Sequence, residues 1–178
     1  MKYVVTTALA MGLLATSVLA QTPRKPGAEE ARIGFFAGTW KIEGEVKPFP
    51  GWPAGQFSAT EICAWFTGGF QLVCRSDGTS PMGPRQAESI FSFNPNAKVY
   101  AFYLFSSLGN GLFQEGTVKG NVWTWTSESK VNGSVTRGRV TTTELSPTTY
   151  ASKIEFSTDG GAWTLLEEIR ATKVRRSV

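Results

Sequence analysis

The feature that most constrains the fold of this chain is a succession of about ten short segments in which apolar and polar residues alternate. A period of two places every second side chain on the same face of a β-strand, and turn-forming residues separate the segments. No stretch between them shows the 3.6-residue period of an amphipathic helix. The predicted strands are 39–47, 57–66, 70–76, 86–93, 98–105, 112–119, 122–128, 134–144, 149–157 and 162–171.

The short connections between these segments predict that neighbouring strands are antiparallel and follow one another as a meander. A long meander that has no helices to cover it removes its exposed edges by curling until the first and last strands pair. A composition with 12% aromatic and 18% charged residues agrees with β-structure. We therefore predict an all-β fold, a closed antiparallel up-and-down barrel of about ten strands.

The beginning of the chain resembles a secretory signal peptide. Lys2 is followed by a mostly apolar run, and Val18-Leu19-Ala20 forms a small-residue cleavage pattern. The run is interrupted by threonine, serine and glycine and is too short for a membrane span. We expect residues 1–20 to be a signal peptide and the protein to be exported by a bacterium, to the periplasm or the medium.

The rest of the chain divides into one domain with two short extensions. Residues 21–27 contain two prolines and are predicted to form a flexible leader, whereas residues 174–178 form a basic tail. Between them, residues 28–173 constitute the barrel domain. Its first residues, Ala28 to Ile33, are expected to make one or two helical turns that plug one end of the barrel, ended by Gly34.

The absence of histidine excludes several functions at once. Without it the chain cannot form a Ser-His-Asp or Cys-His catalytic group, a histidine-ligated zinc site or a histidine-ligated haem. The formal charge of +4 is too small and too dispersed for a nucleic-acid-binding surface. The sequence thus predicts no metal, no cofactor, no nucleic acid and no membrane span, and it indicates no oligomeric state.

Two-residue turns predict which aromatic side chains share the inner face of the barrel. A turn at Asn132-Gly133 places Trp125 opposite Val140, and a turn at Gly120-Asn121 places Gly116 opposite Trp125. A glycine that faces an indole leaves room for the ring to lie across the strand. On the same face, Gln114 is a polar side chain that needs water, a neighbour or a ligand as its partner.

The last hairpin is predicted to direct a carboxylate inward. A turn at Asp159-Gly160 sets Phe156 opposite Trp163 and places Glu167 among apolar residues, which would raise the pKa of its carboxyl group. Alternatively, Glu167 lies in water at the mouth of the barrel or meets an arginine. No arginine is clearly directed inward by the predicted registers.

The two cysteines are predicted to form a disulfide. If Gly68-Gly69 is the turn between two strands, Cys63 lies directly opposite Cys74, at a separation that a disulfide tolerates. Export to an oxidising compartment favours the bond. A redox function would require a different spacing, such as Cys-x-x-Cys.

At Gly38-Thr39-Trp40 the chain resembles the calycin superfamily, in which lipocalins open their first strand with Gly-x-Trp. The wider pattern, which includes Gly68-Gly69-Phe70 and Phe93-Asn94-Pro95, resembles lipocalin-like exported bacterial proteins of a family of unknown function. The resemblance implies a closed barrel with an interior cavity. It also implies that a basic residue of the last strand, Arg170 or Lys173, lies over Trp40 in a structural cation–π contact.

The barrel interior provides the candidate binding site. We predict that it binds a small apolar or amphipathic ligand, which Gln114 and Glu167 orient. The aromatic residues of the predicted inner face are equally suited to filling a solid core. The candidate cavity residues are Trp65, Phe91, Tyr100, Phe102, Gln114, Trp123, Trp125, Phe156, Trp163 and Glu167.

Two other functions are compatible with the sequence. An enzyme could use Glu167 or Glu61 as an acid or base, although no nucleophile–base pair accompanies them. A protein-binding module similar to envelope protease inhibitors could dock through the loop 49–55, in which Trp52 stands before a proline. The alternative for this loop is a lid folded over the barrel mouth.

Overall fold

The structure is a computed structural model that describes residues 24–131 and 133–174. The predicted signal peptide, the first three residues of the leader and the last four of the basic tail lie outside the described residues. Among the residues that are described, no helix is long and apolar enough to cross a membrane.

A short helix, a 3₁₀ turn and ten strands make up the described chain. The helix α1 comprises Ala28–Ile33 and continues directly into the 3₁₀ turn Gly34–Phe36. The strands are β1 Gly38–Val46, β2 Gly55–Trp65, β3 Gln71–Ser80, β4 Gly83–Asn94, β5 Val99–Ser106, β6 Gly111–Lys119, β7 Val122–Val131, β8 Ser134–Ser146, β9 Thr149–Thr158 and β10 Thr164–Lys173.

The strands form a closed antiparallel barrel. Each strand pairs with the next along the chain, and β1 pairs with β10, where Trp40 lies opposite Lys173. Because closure leaves neither the first nor the last strand as a free edge, the long meander needs no covering helices. The predicted barrel with its N-terminal helical plug is confirmed.

The hairpins with two-residue turns have the predicted registers. Trp125 lies opposite Val140 in β7–β8 and opposite Gly116 in β6–β7. A Cβ added at Gly116 would lie 2.2 Å from Cε3 of Trp125, so the glycine makes room for the indole. Cys63 lies opposite Cys74, and the two form the predicted disulfide with Cα atoms 4.0 Å apart.

The register of the last hairpin differs from the prediction. Thr164, and not Trp163, lies opposite Phe156, because the connection between β9 and β10 is longer than a two-residue turn. A bulge between Leu165 and Glu167 then shifts the pairing by one residue. The bulge restores the inward direction of Glu167, which lies opposite Ile154.

The helix and the 3₁₀ turn close one end of the barrel, and we refer to residues 28–36 as the plug. The Phe36 ring stacks on Phe91 with centroids 4.9 Å apart and lies 5.3 Å from the Trp123 ring. The indole Nε1 of Trp40 donates a 2.7 Å hydrogen bond to the carbonyl oxygen of Phe36. These contacts fix the plug to strands on opposite sides of the barrel.

Lys173 supplies the cation that the lipocalin resemblance implied over Trp40. Its Nζ lies 4.6 Å from the ring centroid and donates a 3.2 Å hydrogen bond to the carbonyl oxygen of Phe35. Burial lowers the pKa of this ammonium group. Arg170, the other candidate, is exposed, because residues three apart in a strand point to opposite faces. It lies opposite Glu43 in the strand register.

The start of α1 is anchored by a buried carboxylate. Burial opposes ionisation of Glu30, but hydrogen bonds from the backbone N–H groups of Gly27 and Glu30, together with Arg24, lower the pKa of its carboxyl group. Arg24 forms an ion pair with Glu30 and lies 5.0 Å above the Phe70 ring. This part of the predicted leader therefore contacts the barrel.

Candidate functional site

A cavity of about 450 Å³ lies inside the barrel, between the plug and the opposite end. Its volume falls within the range that is typical of small-molecule sites. The barrel interior is thus not filled by its own side chains.

Aromatic rings form the part of the cavity nearest the plug. Phe91 lies 4.8 Å from Phe102, and Phe102 lies 5.8 Å from Trp125, measured between ring centroids. Phe36 and Tyr150 complete this wall, with centroids 5.8 Å apart. Such a surface favours an apolar or aromatic group of a ligand.

Polar side chains occupy the next level of the wall, and we call this set the polar belt. It consists of Ser76, Ser89, Gln114, Thr142 and Ser152. The hydroxyls of Thr142 and Ser152 are 2.7 Å apart and hydrogen-bond to each other. In the described part of the chain, the side chains of Ser89 and Gln114 form no hydrogen bond, although they are only 4% and 3% exposed.

No polar side-chain atom in the described residues is both fully enclosed and unpaired. The free polar atoms of the belt therefore border the cavity, where water or a ligand satisfies them. A cavity lined in this way can fix the orientation of a molecule as well as bury its apolar part.

Two glutamates and one arginine face the cavity without forming an ion pair in the described structure. Burial raises the pKa of Glu61 to about 7, against the opposing charge of Arg85. Burial also raises the pKa of Glu167, which Arg85 again opposes. The cavity therefore contains carboxyl groups that retain their protons to higher pH than exposed glutamates do.

The predicted strands 70–76 and 86–93 leave Arg85 between two strands, so the sequence assigned no inward direction to its side chain. β3 and β4 extend through Gly78 and Pro84 to a short turn, and they place Arg85 opposite Gly78. Glycine and proline both suggested a loop. The alternation of Arg85 with the buried residues Ala87 and Ser89 was the signal that would have revealed its direction.

Six of the predicted cavity residues line the cavity, and four lie elsewhere. Those on the wall are Phe91, Phe102, Gln114, Trp125, Phe156 and Glu167. Tyr100 and Trp123 are buried but do not line the cavity. Trp123 contacts Phe36 of the plug, and its indole N–H donates a 2.6 Å hydrogen bond to Glu144.

Trp65 and Trp163 lie outside the cavity, each for a local reason. Trp65 is on the inward face of β2 but beyond the plug, where its ring faces Gly34. Trp163 precedes β10, and the guanidinium of Arg139 lies 4.2 Å above its ring. Each tryptophan is 39% exposed.

The loop 49–55 lies at the mouth of the cavity. Phe49 packs against Phe156 with ring centroids 4.5 Å apart, and Trp52 lines the cavity. The backbone N–H of Trp52 donates a 3.0 Å hydrogen bond to the carbonyl oxygen of Phe49 and tightens the loop. This geometry favours the lid interpretation over an extended docking loop.

Comparison with known proteins places this barrel in a family. The sequence pattern of a family described as "Protein of unknown function (DUF1579)" matches residues 25–173. The chain belongs to the DUF1579 family. No curated protein matches it. The predicted membership of a family of unknown function is thus confirmed, whereas the link to the calycin superfamily stays a prediction.

Solved structures share the fold of this DUF1579 barrel. Rv2717c from M. tuberculosis is similar with a TM-score of 0.60 at 10% identity, over 84% of this chain and 99% of that one. The S-type phycobiliprotein lyase CPES from Guillardia theta has a TM-score of 0.53 at 10% identity, over 84% and 93%. At these identities the similarity concerns the fold alone.

Proposed function

We propose that this DUF1579 protein binds a small amphipathic molecule inside the barrel. The observation that carries the proposal is a cavity of about 450 Å³ in which aromatic rings adjoin polar side chains that have no hydrogen-bond partner among the described residues. The apolar part of the ligand packs on Phe91, Phe102 and Trp125. Its polar group replaces the water that otherwise satisfies Gln114 and Ser89.

Binding is a better account of this site than catalysis. A covalent step needs a nucleophile that is activated by an adjacent base. In the described residues, no hydrogen bond joins Glu61 or Glu167 to a hydroxyl group. Unpaired polar groups around an empty volume are suited to a ligand.

We propose that the protein performs this function outside the cytoplasm. The Cys63–Cys74 disulfide persists in an oxidising compartment, which agrees with the signal peptide expected at residues 1–20. A carrier or sensor of small molecules in the bacterial envelope is the role that fits both features.

A cavity-filling substitution tests the proposal. We expect phenylbutanol, a neutral amphipathic probe, to bind the wild-type protein in isothermal titration calorimetry. Ala87→Phe, on the cavity wall, should abolish this binding because its ring occupies the space of the probe. Ile90→Phe, on the outer face of β4, is the matched control and should bind as the wild type does.

The result that would contradict the proposal is equal affinity of the Ala87→Phe and wild-type proteins, which would locate the probe outside the barrel. Absence of binding by the folded wild-type protein would contradict it as well. Thermal unfolding of each variant establishes that the barrel is intact.

A further inference from the structure

We propose that the ligand of this cavity is an amphipathic amine, whose ammonium group binds the carboxylate of Glu61. This inference rests on the proposed function and assigns the chemical class of the ligand. It is carried by the charges of the cavity wall, the position of Glu61 among them, and its lack of a partner within the described residues.

The described cavity wall carries more acids than bases. Its charged residues are Glu61, Arg85, Arg139, Glu155 and Glu167. Two nitrogens of the Arg139 guanidinium donate to the same oxygen of Glu155, Oε2, at 3.0 and 2.8 Å, so these two charges neutralise each other. Arg85 then remains as one cation for two carboxylates, so a cationic ligand makes the wall neutral and an anionic ligand increases the imbalance.

Glu61 is the deeper of the two unpaired acids. It lies opposite Trp40 and Ser76 across the neighbouring strands, close to the plugged end, whereas Glu167 lies opposite Val46 at the end of β1. In the described residues, the one contact of hydrogen-bonding length that its carboxylate makes is to the disulfide sulfur of Cys63, at 3.7 Å, which has no proton to donate. Within the described residues, the carboxylate of Glu61 therefore accepts no hydrogen bond, and the charge of Arg85 offsets only part of the effect of its burial.

An ammonium group supplies what this carboxylate lacks. It brings the opposite charge and three hydrogen-bond donors, of which one reaches Glu61 and the others can reach hydroxyls of the polar belt. Burial raises the pKa of Glu61 to about 7. Near this pH, a proton neutralises Glu61 in the free protein, whereas the ammonium group neutralises it in the complex. The aromatic faces of Phe91 and Trp125 attract cations and disfavour carboxylates.

Arg85 is the competing site, for a ligand with a carboxylate. It lines both the main cavity and a smaller recess of about 80 Å³ near Trp52, and its Nε donates to Ser106 at 3.4 Å. Its charge already acts on Glu61 and Glu167. An anion bound there would face both of these acids, which makes the amine the better occupant.

Three probes with the same skeleton test the inference: phenylbutylamine, phenylbutanol and phenylbutyrate. At about pH 8 we expect the amine to bind the wild-type protein about tenfold more tightly than the alcohol, and the acid to bind least tightly. Glu61→Gln should remove the advantage of the amine and retain the affinity for the alcohol. Glu88→Gln, ion-paired with Arg75 on the outer face, is the control and should leave both affinities unchanged.

The outcomes separate this inference from the proposed function. If the alcohol binds and the amine binds no more tightly, the inference is overturned and the binding function stands. Tightest binding of the acid overturns it in favour of Arg85. If none of the probes binds, the proposed function itself fails.

A second measurement needs no variant. The affinity ratio of amine to alcohol in the wild-type protein should fall as the pH is lowered from about 8 to about 5, because Glu61 then becomes protonated. Arg85 and Tyr150 lie within electrostatic reach of Glu61, and Glu167 is a second acid of the cavity wall whose pKa is raised by burial. A ratio that is constant over this interval would overturn the inference even if Glu61→Gln did not fold.

Discussion

At the residue scale, Glu61 makes the stability of the barrel depend on pH. Burial raises its pKa to about 7 in the folded protein, whereas an unfolded glutamate titrates at about 4.3. The folded state thus retains a proton that the unfolded chain releases, and stability falls as the pH rises through this interval. We expect the wild-type protein to lose about 1–3 kcal/mol from this residue between pH 4 and pH 8.

Urea unfolding of the wild-type and Glu61→Gln proteins over this range measures the effect. The wild-type curve should fall more steeply with pH, since glutamine cannot ionise. Ionisation of Glu167 also lowers stability as the pH rises, whereas ionisation of Glu30 increases it. Both residues are present in the two proteins, so the difference between the two stability curves isolates the contribution of Glu61. Parallel curves would show that Glu61 does not exchange its proton in this range.

At the element scale, local turn chemistry explains which registers were predictable. In the β7–β8 hairpin, the described strand ends pair in the register that an Asn-Gly turn favours, and Gly68 and Gly69 adopt the positive φ angles of 98° and 76° between β2 and β3. These residues specify a turn by themselves. The sequence therefore sufficed for the disulfide and for the direction of Trp125.

The same rules failed where a strand contains residues that usually end one. Gly78 and Pro84 lie inside β3 and β4, and the tertiary pairing of the barrel keeps them extended. In the last hairpin, a bulge before Glu167 offset the longer turn. Arg85 and Trp163 were misplaced for these two reasons, since neither pairing in the barrel nor a bulge is encoded in a short window.

The closure of β1 on β10 gives a prediction at this scale. Lys173→Met should destabilise the barrel by about 1–2 kcal/mol, because it removes the cation above Trp40 and the hydrogen bond to Phe35. Arg170→Met, on the exposed face of the same strand, should change stability by less than about 0.5 kcal/mol. Chemical denaturation of the two variants provides the comparison, and equal effects would contradict the role assigned to Lys173.

At the scale of the whole molecule, the barrel is closed at one end and has a loop at the other. The plug is fixed by Phe36 on Phe91, by Arg32 paired with Glu144 at 2.6 Å and by Lys173. At the opposite end, Phe49 packs on Phe156, and the hydrogen bond from Trp52 to Phe49 lies within the loop 49–55 itself. If the proposed ligand binds, we expect it to enter by displacing this loop, since opening the plug would break contacts with several strands.

Two equally exposed tryptophans allow this route to be tested. Trp52 and Trp163 are both 39% exposed near the mouth, but only Trp52 lines the cavity. Trp52→Ala should increase the dissociation rate of bound phenylbutylamine several-fold in stopped-flow fluorescence, because the loop loses the ring that covers the ligand. Trp163→Ala should leave this rate unchanged, since its ring packs on Arg139 and does not line the cavity. Equal acceleration by both variants would mean that general loosening of the rim, and not displacement of the lid, controls release.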